Sequence, residues 1–468
     1  MSMVERLSAL DSSFLYLEDA ITPMHVGTVA LFDGDDTFDL EHLTDLIARR
    51  IARVPRYRQR VKAVPGRLAN PVWVDDPRFD IGYHVRRSVL PKPGTYEQLR
   101  EFVARVMSRP LDRERPLWEM YLVEGVGDNR FAIVGKTHQA MVDGVTTVEI
   151  GQVMLDAESG AVGPDPRPWS PGPEPSWLEL VEDAAAGAVR RPTEVLDNVR
   201  GAMSDLRSVG ERVWDAASGM LAVATTAVRP APDTPLNGVN GSHRAYAILA
   251  TDLEDYRLVR SSQEIRQGST VNDVVLAVVA GALREWLLMR GEPVPPHTKV
   301  RALVPVSVRD DDQPAAVGNT VSTYLVDLPV GEDNPVMRLH QVTYATRAHK
   351  ESGHAVGANA LIALSGFAPT TLHSLAARTA NGLSRRLFNL VVTNVPGPQF
   401  PLYAGRSRML EAYPVVPLAK GQAVSVGLTS YDGRVFFGLN ADRDLMPDVE
   451  LLADCLTDAL AELVAAVS

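Results

Sequence analysis

Residues Phe131–Ile150 read FAIVGKTHQAMVDGVTTVEI. Phe131, Ala132, Ile133 and Val134 make a short continuous apolar run, the pattern of a strand buried on both faces. The run ends near His138, Asp143-Gly144 marks a turn, and a helix follows with Thr146 or Thr147 as its cap. Polar residues at the end of a central strand face the crevice where α/β sheets bind ligands. His138, Gln139 and Asp143 are therefore the first candidates for chemistry.

Outward from this stretch, two α/β halves flank a different middle segment. The first half has strand-like runs at Gly27–Phe32 and Phe131–His138 and helical periodicity at Leu40–Val54 and Tyr96–Met107. A proline-rich break, Gly163–Pro175, ends it. Helical periodicity then runs through Trp177, Leu180, Val181, Ala184 and Ala188, is interrupted at Pro192, and resumes to Val228. A second break covers Arg229–Gly238. This middle stretch is either a crossover packed on the two halves or an amphipathic, lipid-facing pair of helices. The second half carries strands at Arg244–Thr251, Lys299–Val308, Val321–Leu328, Leu390–Asn394, Ala423–Tyr431 and Arg434–Asn440. Helices are expected at Thr270–Leu288 and Val449–Val464. The expected division is 1–175, 176–237 and 238–468.

At 468 residues the chain exceeds one ordinary core, which agrees with two domains. Its 58 acidic against 47 basic residues, a net charge of -11, argue against a nucleic-acid partner. Only six of the basic residues are lysines, a bias read as genome composition. The single cysteine, Cys455, excludes an internal disulfide and falls at helical spacing among leucines, as a core thiol would. A reduced, cytoplasmic setting is expected, since the N-terminus shows no signal peptide. The longest uncharged apolar stretch, Val274–Leu283, is too short to span a bilayer. No pair of histidines or carboxylates has metal-binding spacing beside a further ligand.

Five blocks, in order along the chain, carry a resemblance. They are LSALDSSFLYLE (Leu7–Glu18) with PMHVG (Pro23–Gly27), Pro116-Leu117-Trp118, the HQAMVDG stretch (His138–Gly144), GSTVNDVVLA (Gly268–Ala277), and VPVSVR with GNTVSTYLVDLP between Val304 and Pro329. The central block is similar to the HHxxxDG signature of condensation-type and chloramphenicol-acetyltransferase-like enzymes. The whole set resembles the wax ester synthase/diacylglycerol acyltransferase family over nearly the full chain. The resemblance implies two chloramphenicol-acetyltransferase-like α/β domains, joined by the helical crossover, with the reaction centre in a tunnel between them. It implies a long-chain acyl-CoA as donor and a diacylglycerol or long-chain alcohol as acceptor. Triacylglycerol or wax ester would be the product, with no bound cofactor or metal. Substrates that live in lipid imply peripheral association with a membrane or lipid-droplet surface.

The same resemblance assigns roles. His138, Gln139 and Asp143 form the catalytic block. Asp143 would shape its loop through an ion pair with Arg309, or less simply Arg301. Gly144, Asn272, Asp273 and Pro116-Leu117-Trp118 would line the substrate site. Plainer readings stand beside these: Asn272 and Asp273 sit where a helix needs a cap, and Pro116–Trp118 suits a wall or core. His25 and His84 read as ordinary polar residues.

Gln139 stands where the family places its catalytic histidine. An imidazole exchanges a proton near neutral pH; a carboxamide does not. Losing only the base costs roughly 10²–10⁴ in rate. Side chains alternate along a strand, so His138 points away from the face Gln139 uses unless the strand bends. Two further readings follow: a catalytically weak member that binds lipid or acyl-CoA, and a condensation-type enzyme forming amides on a carrier protein. The chain holds no carrier or adenylation segment, which disfavours the latter.

Overall fold

Capping chemistry and apolar runs fix most of the elements. The computed structural model describes residues 5–34, 40–127, 129–142, 154–160, 169–190, 231–262, 265, 268–308, 320–351 and 387–468. Helix α1 (Ala9–Leu17) starts where the Ser8 side chain accepts the Asp11 amide. Strand β1 (His25–Asp33) follows, then α2 (Leu40–Ile51). The sequence pattern had extended that helix to Val54, but Pro55 favours extended backbone before it, and a 3-10 turn takes Pro55–Arg58. A small ribbon of β2 (Gln59–Lys62) and β3 (Val72–Asp75), a one-turn α3 (Ile81–His84) and β4 (Val85–Val89) come next. Helix α4 (Tyr96–Met107) opens on a capping box between Thr95 and Gln98. Strands β5 (Trp118–Val126) and β6 (Arg130–His138) form an antiparallel pair.

After α5 (Trp177–Arg190) come β7 (Arg244–Asp252), α6 (Leu253–Ser261) and α7 (Val271–Met289). Strands β8 (Val300–Val308) and β9 (Thr320–Leu328) precede α8 (Pro335–Glu351). The chain continues through β10 (Leu390–Pro396), β11 (Tyr403–Ala404), β12 (Ser407–Val415), β13 (Val424–Tyr431) and β14 (Arg434–Asp442) to α9 (Val449–Val467).

Two six-stranded mixed sheets result, ordered β11-β12-β1-β6-β5-β4 and β7-β14-β13-β10-β8-β9. This is the α/β arrangement expected. Strand β12 departs from the expected division of the chain. Although it lies within 238–468, it pairs antiparallel with β1 and completes the first sheet. Where it passes the second sheet, Pro414 presses on Gly427 and Gly438, which face each other across β13 and β14. A Cβ on Gly438 would stand 1.9 Å from the Pro414 carbonyl oxygen, so only glycine admits the crossing.

The second sheet serves two cores. Phe437 and Leu439 pack with α7 and α9, including Trp286 and Cys455. The neighbouring Phe436 packs instead with Tyr246, Tyr413 and the first sheet. Alternation along one strand thus buries both faces. Cys455 is inside the second core, where burial pushes its thiol up to about 12, in keeping with a structural thiol.

Of the middle stretch, α5 seats Leu180 against Val64, Val72 and Val74. Trp177, expected on the same buried face, is 67% exposed, and Leu178 is 50% exposed. Pro192 and the helical pattern beyond it lie outside the described residues, as do Asp143, Gly144, Thr146, Thr147 and Arg309.

Candidate functional site

The end of β6 is held from both sides. The His138 amide donates to the Leu117 carbonyl at 2.9 Å, and the Gln139 amide donates to the Met24 carbonyl at 2.8 Å. Gln139 then opens a 3-10 turn, Gln139–Met141. Its side chain is half-buried, and among the described residues no hydrogen bond occupies its carboxamide.

His138 is 1% exposed and faces inward. Its Nδ1 accepts the Ala140 amide at 3.0 Å, which uses the lone pair a general base would need. Its Nε2 therefore carries the hydrogen, and it lies 3.5 Å from Glu18 Oε2 without hydrogen-bond alignment. Strand register puts His25 of β1 directly opposite His138, with no bulge between them. The two rings meet edge to face at 6.1 Å. His25 Nε2 is 3.2 Å from the other oxygen, Glu18 Oε1. In this geometry the His138 ring is buried with Nδ1 engaged by the Ala140 amide.

Glu18 is the hub of the cluster. It is the C-cap residue of α1, it accepts the Met24 amide at 3.3 Å, and Arg113 donates to it through Nε at 3.1 Å and through Nη2. Burial alone would raise its carboxyl, but His138 and His25 outweigh that and hold it far below the usual carboxylate range. For His25 burial wins, and the imidazole is pushed down to about 4. At neutral pH the cluster therefore holds a charged Glu18 and a neutral His25.

Lys136 lies two residues back on the same face of β6, also buried. Its ammonium donates to the carbonyls of Val106 and Arg109 at the end of α4 and stands 4.0 Å from Glu119. Burial pushes it down to about 8. Glu18 and His25 sit within blocks already singled out in the sequence, but nothing there showed that strand register would set His25 against His138. Arg113 and Lys136 carried no local signal.

The other expected residues divide. Asp273 is a cap: Oδ2 accepts the Thr270 amide at 2.7 Å and the Thr270 hydroxyl at 2.8 Å, while Oδ1 accepts Thr346 at 2.6 Å. Both of its oxygens are thus engaged within the second half. Asn272 keeps a partner in its own half, accepting from Asn394 of β10 at 3.4 Å. Pro116, Leu117 and Trp118 are buried, the last two at 0% exposure. Trp118 stacks on His84 at 4.5 Å and donates to the Tyr57 carbonyl at 2.8 Å. Leu117 and Trp118 belong to the core of the first half. Arg301 pairs with Asp327 across β8 and β9 at 2.7 Å. Among the described residues no group of three or more histidines, cysteines or carboxylates could hold a metal ion. No helix among them is long and apolar enough to cross a membrane.

Comparison with known proteins gives the frame for this site. Residues 7–275 match the wax ester synthase/diacylglycerol acyltransferase catalytic domain, and residues 317–464 match the C-terminal domain of the same family. A probable diacylglycerol O-acyltransferase of Mycobacterium tuberculosis, tgs1, is 33% identical over 473 residues, covering 99% of this chain and 96% of that protein. A second from that organism, tgs2, is 33% identical over 472 residues, covering 98% of each. The structure resembles a wax ester synthase/diacylglycerol acyltransferase from Marinobacter aquaeolei VT8, with a TM-score of 0.68, 28% identity and 98% of each chain covered. It also shares the fold of the first condensation domain of the calcium-dependent antibiotic synthetase, with a TM-score of 0.61 at 16% identity over 100% of this chain and 98% of that one. From the two domain matches and the full-length relatives, the chain belongs to the wax ester synthase/diacylglycerol acyltransferase family.

Proposed function

We propose that the protein is an O-acyltransferase that moves a long-chain acyl group from acyl-CoA to a diacylglycerol or long-chain alcohol, and that it does so without a titratable proton acceptor at residue 139. The observation that carries this reading is the end of β6 itself. Gln139 occupies the motif's reactive slot with its carboxamide unengaged, while His138 has its lone pair committed to Ala140. The acceptor hydroxyl attacks the thioester carbonyl, its proton must leave, and CoA departs as the thiol. Gln139 can accept a hydrogen bond from the hydroxyl and so orient it, but its amide cannot take the proton. Positioning of the two substrates then supplies most of the remaining acceleration.

No bound cofactor is needed, because the thioester already activates the acyl group. Asn272 stays a candidate for the acceptor side. The substrates' solubility places the working protein at a membrane or lipid-droplet surface from a cytoplasmic location, as a peripheral protein. A second reading has one observation in its favour: with no base at Gln139, the same fold would serve as a lipid or acyl-CoA binder of negligible turnover.

Labelled palmitoyl-CoA, given with diacylglycerol or hexadecanol to wild type and to Gln139→His, separates them. Ester formation by wild type, rising roughly 10²–10⁴-fold in the variant, is the expected result. Two inert proteins that still bind palmitoyl-CoA would leave only the binding role.

A further inference from the structure

At the far edge of the first sheet, β4, β5 and the last two turns of α4 frame an open cavity of about 390 Å³. Arg86, Arg105 and Arg109 line it, with Ser88, Phe102 and Tyr121. Arginine is the side chain best shaped to bind phosphate, through a planar fork of donors. Three in one cavity need counter-charge, and the protein supplies little. Arg86 spends one nitrogen on Glu119 at 3.0 Å and its Nε on the Tyr83 carbonyl at 2.8 Å. Arg105 has only Glu101, one helical turn away at 3.7 Å and 65% exposed. Arg109 has no ion-pair partner among the described residues.

The imbalance reaches inward. Lys136 lies behind the cavity; after burial, Glu119 and Glu18 raise its ammonium while the charges of Arg86 and Arg109 push it down. Four cationic side chains thus meet three carboxylates, Glu119, Glu101 and, on the inner side of Lys136, Glu18. The Phe102 and Tyr121 rings, edge to face at 5.7 Å, give one wall an aromatic surface. Such a pocket attracts an anion and offers a flat group a place to lie. Tyr121 pairs with Val134, five residues before Gln139, and Arg86 lies one strand further out. Strand rise and spacing put the cavity roughly 20 Å from Gln139, away from the reacting atoms.

We propose that this cavity is a second binding site, for a phosphate-bearing anion. The phosphates could belong to the nucleotide end of the acyl-CoA, which rests on the transferase reading above, or to an anionic lipid headgroup at the surface where the protein works. Both sources present the same oxygens to Arg105 and Arg109.

Binding of adenosine 3′,5′-bisphosphate, and separately of phosphatidylglycerol vesicles, tests the site in the full chain. Wild type is compared with R105E/R109E and with R105A/R109A. Both arginines are exposed, Arg105 on α4 and Arg109 just past its end, so the fold should survive, and the unfolding midpoint checks this. R257E/R408E, also on exposed residues, matches the change in net charge. A tenfold or greater loss of nucleotide binding in R105E/R109E and R105A/R109A alone assigns the phosphates to CoA. A loss confined to vesicle binding assigns them to a lipid headgroup. Unchanged binding in both arms, or an equal loss in the control, overturns the site. Palmitoyl-CoA binding by wild type is measured beside these. Its absence would remove the transferase reading, while the vesicle arm still decides the cavity.

Discussion

Glu18 gathers the Met24 amide, Arg113 and two imidazoles around one buried carboxylate, and the Met24 carbonyl in turn fixes the backbone of Gln139. The chain therefore spends buried polar groups on the position of residue 139. Such groups are stable only while their protonation states agree. His25 titrates at about 4 in the fold and near 6.5 when unfolded, so the unfolded chain takes up the proton first as pH falls. The stabilisation is complete above pH 6.5 and is lost between 6.5 and 4, by about 3 kcal/mol for a shift of this size. Urea unfolding at pH 7 and pH 4.5 should show this drop in wild type and a smaller one in His25→Gln. An equal drop in both would show that His25 is not the group concerned. Little of this cluster was legible in the sequence, because Glu18, His25 and His138 meet only through pairing of β1 with β6.

At the level of elements, local rules read well where the signal is local. Helix α4 was expected over Tyr96–Met107 and begins and ends there, because its capping box and apolar spacing agree. Helix α7 follows the same logic, with Thr270 and Asp273 capping each other. Asp273→Ala removes three accepted hydrogen bonds and should lower stability by about 1–3 kcal/mol, with the KM for acyl-CoA unchanged. A raised KM with normal stability would return Asp273 to the substrate site. Strand β5 escaped recognition: Glu119 and Glu124 interrupt its apolar run, and what buries Glu119 is Arg86, Tyr121 and Lys136 from other elements. The 3-10 turn at Pro55 shortened α2 for a reason the sequence did hold.

At the scale of the molecule, two α/β halves were expected from alternating strands and helices, and the two sheets bear this out. The crossing of β12 into the first sheet was not foreseen, since a strand's partner is set by tertiary packing and not by its own residues. Pro414 against Gly427 and Gly438 is the contact that permits it. Gly438→Ala places a methyl group inside the Pro414 carbonyl and should cost about 2 kcal/mol or more. The variant's thermal unfolding should shift down accordingly. An unchanged midpoint would mean the sheets can part there without penalty.

The proposed transferase works without a base on residues 138 and 139. The pH dependence of kcat/KM for palmitoyl-CoA and hexadecanol tests it in wild type, Gln139→His and His138→Ala. A faster Gln139→His enzyme whose rate falls below a pKa near 6.5, beside a wild type lacking that limb, is the predicted result. A wild-type limb near neutral pH that disappears in His138→Ala would show that His138 takes the proton, and would contradict the account.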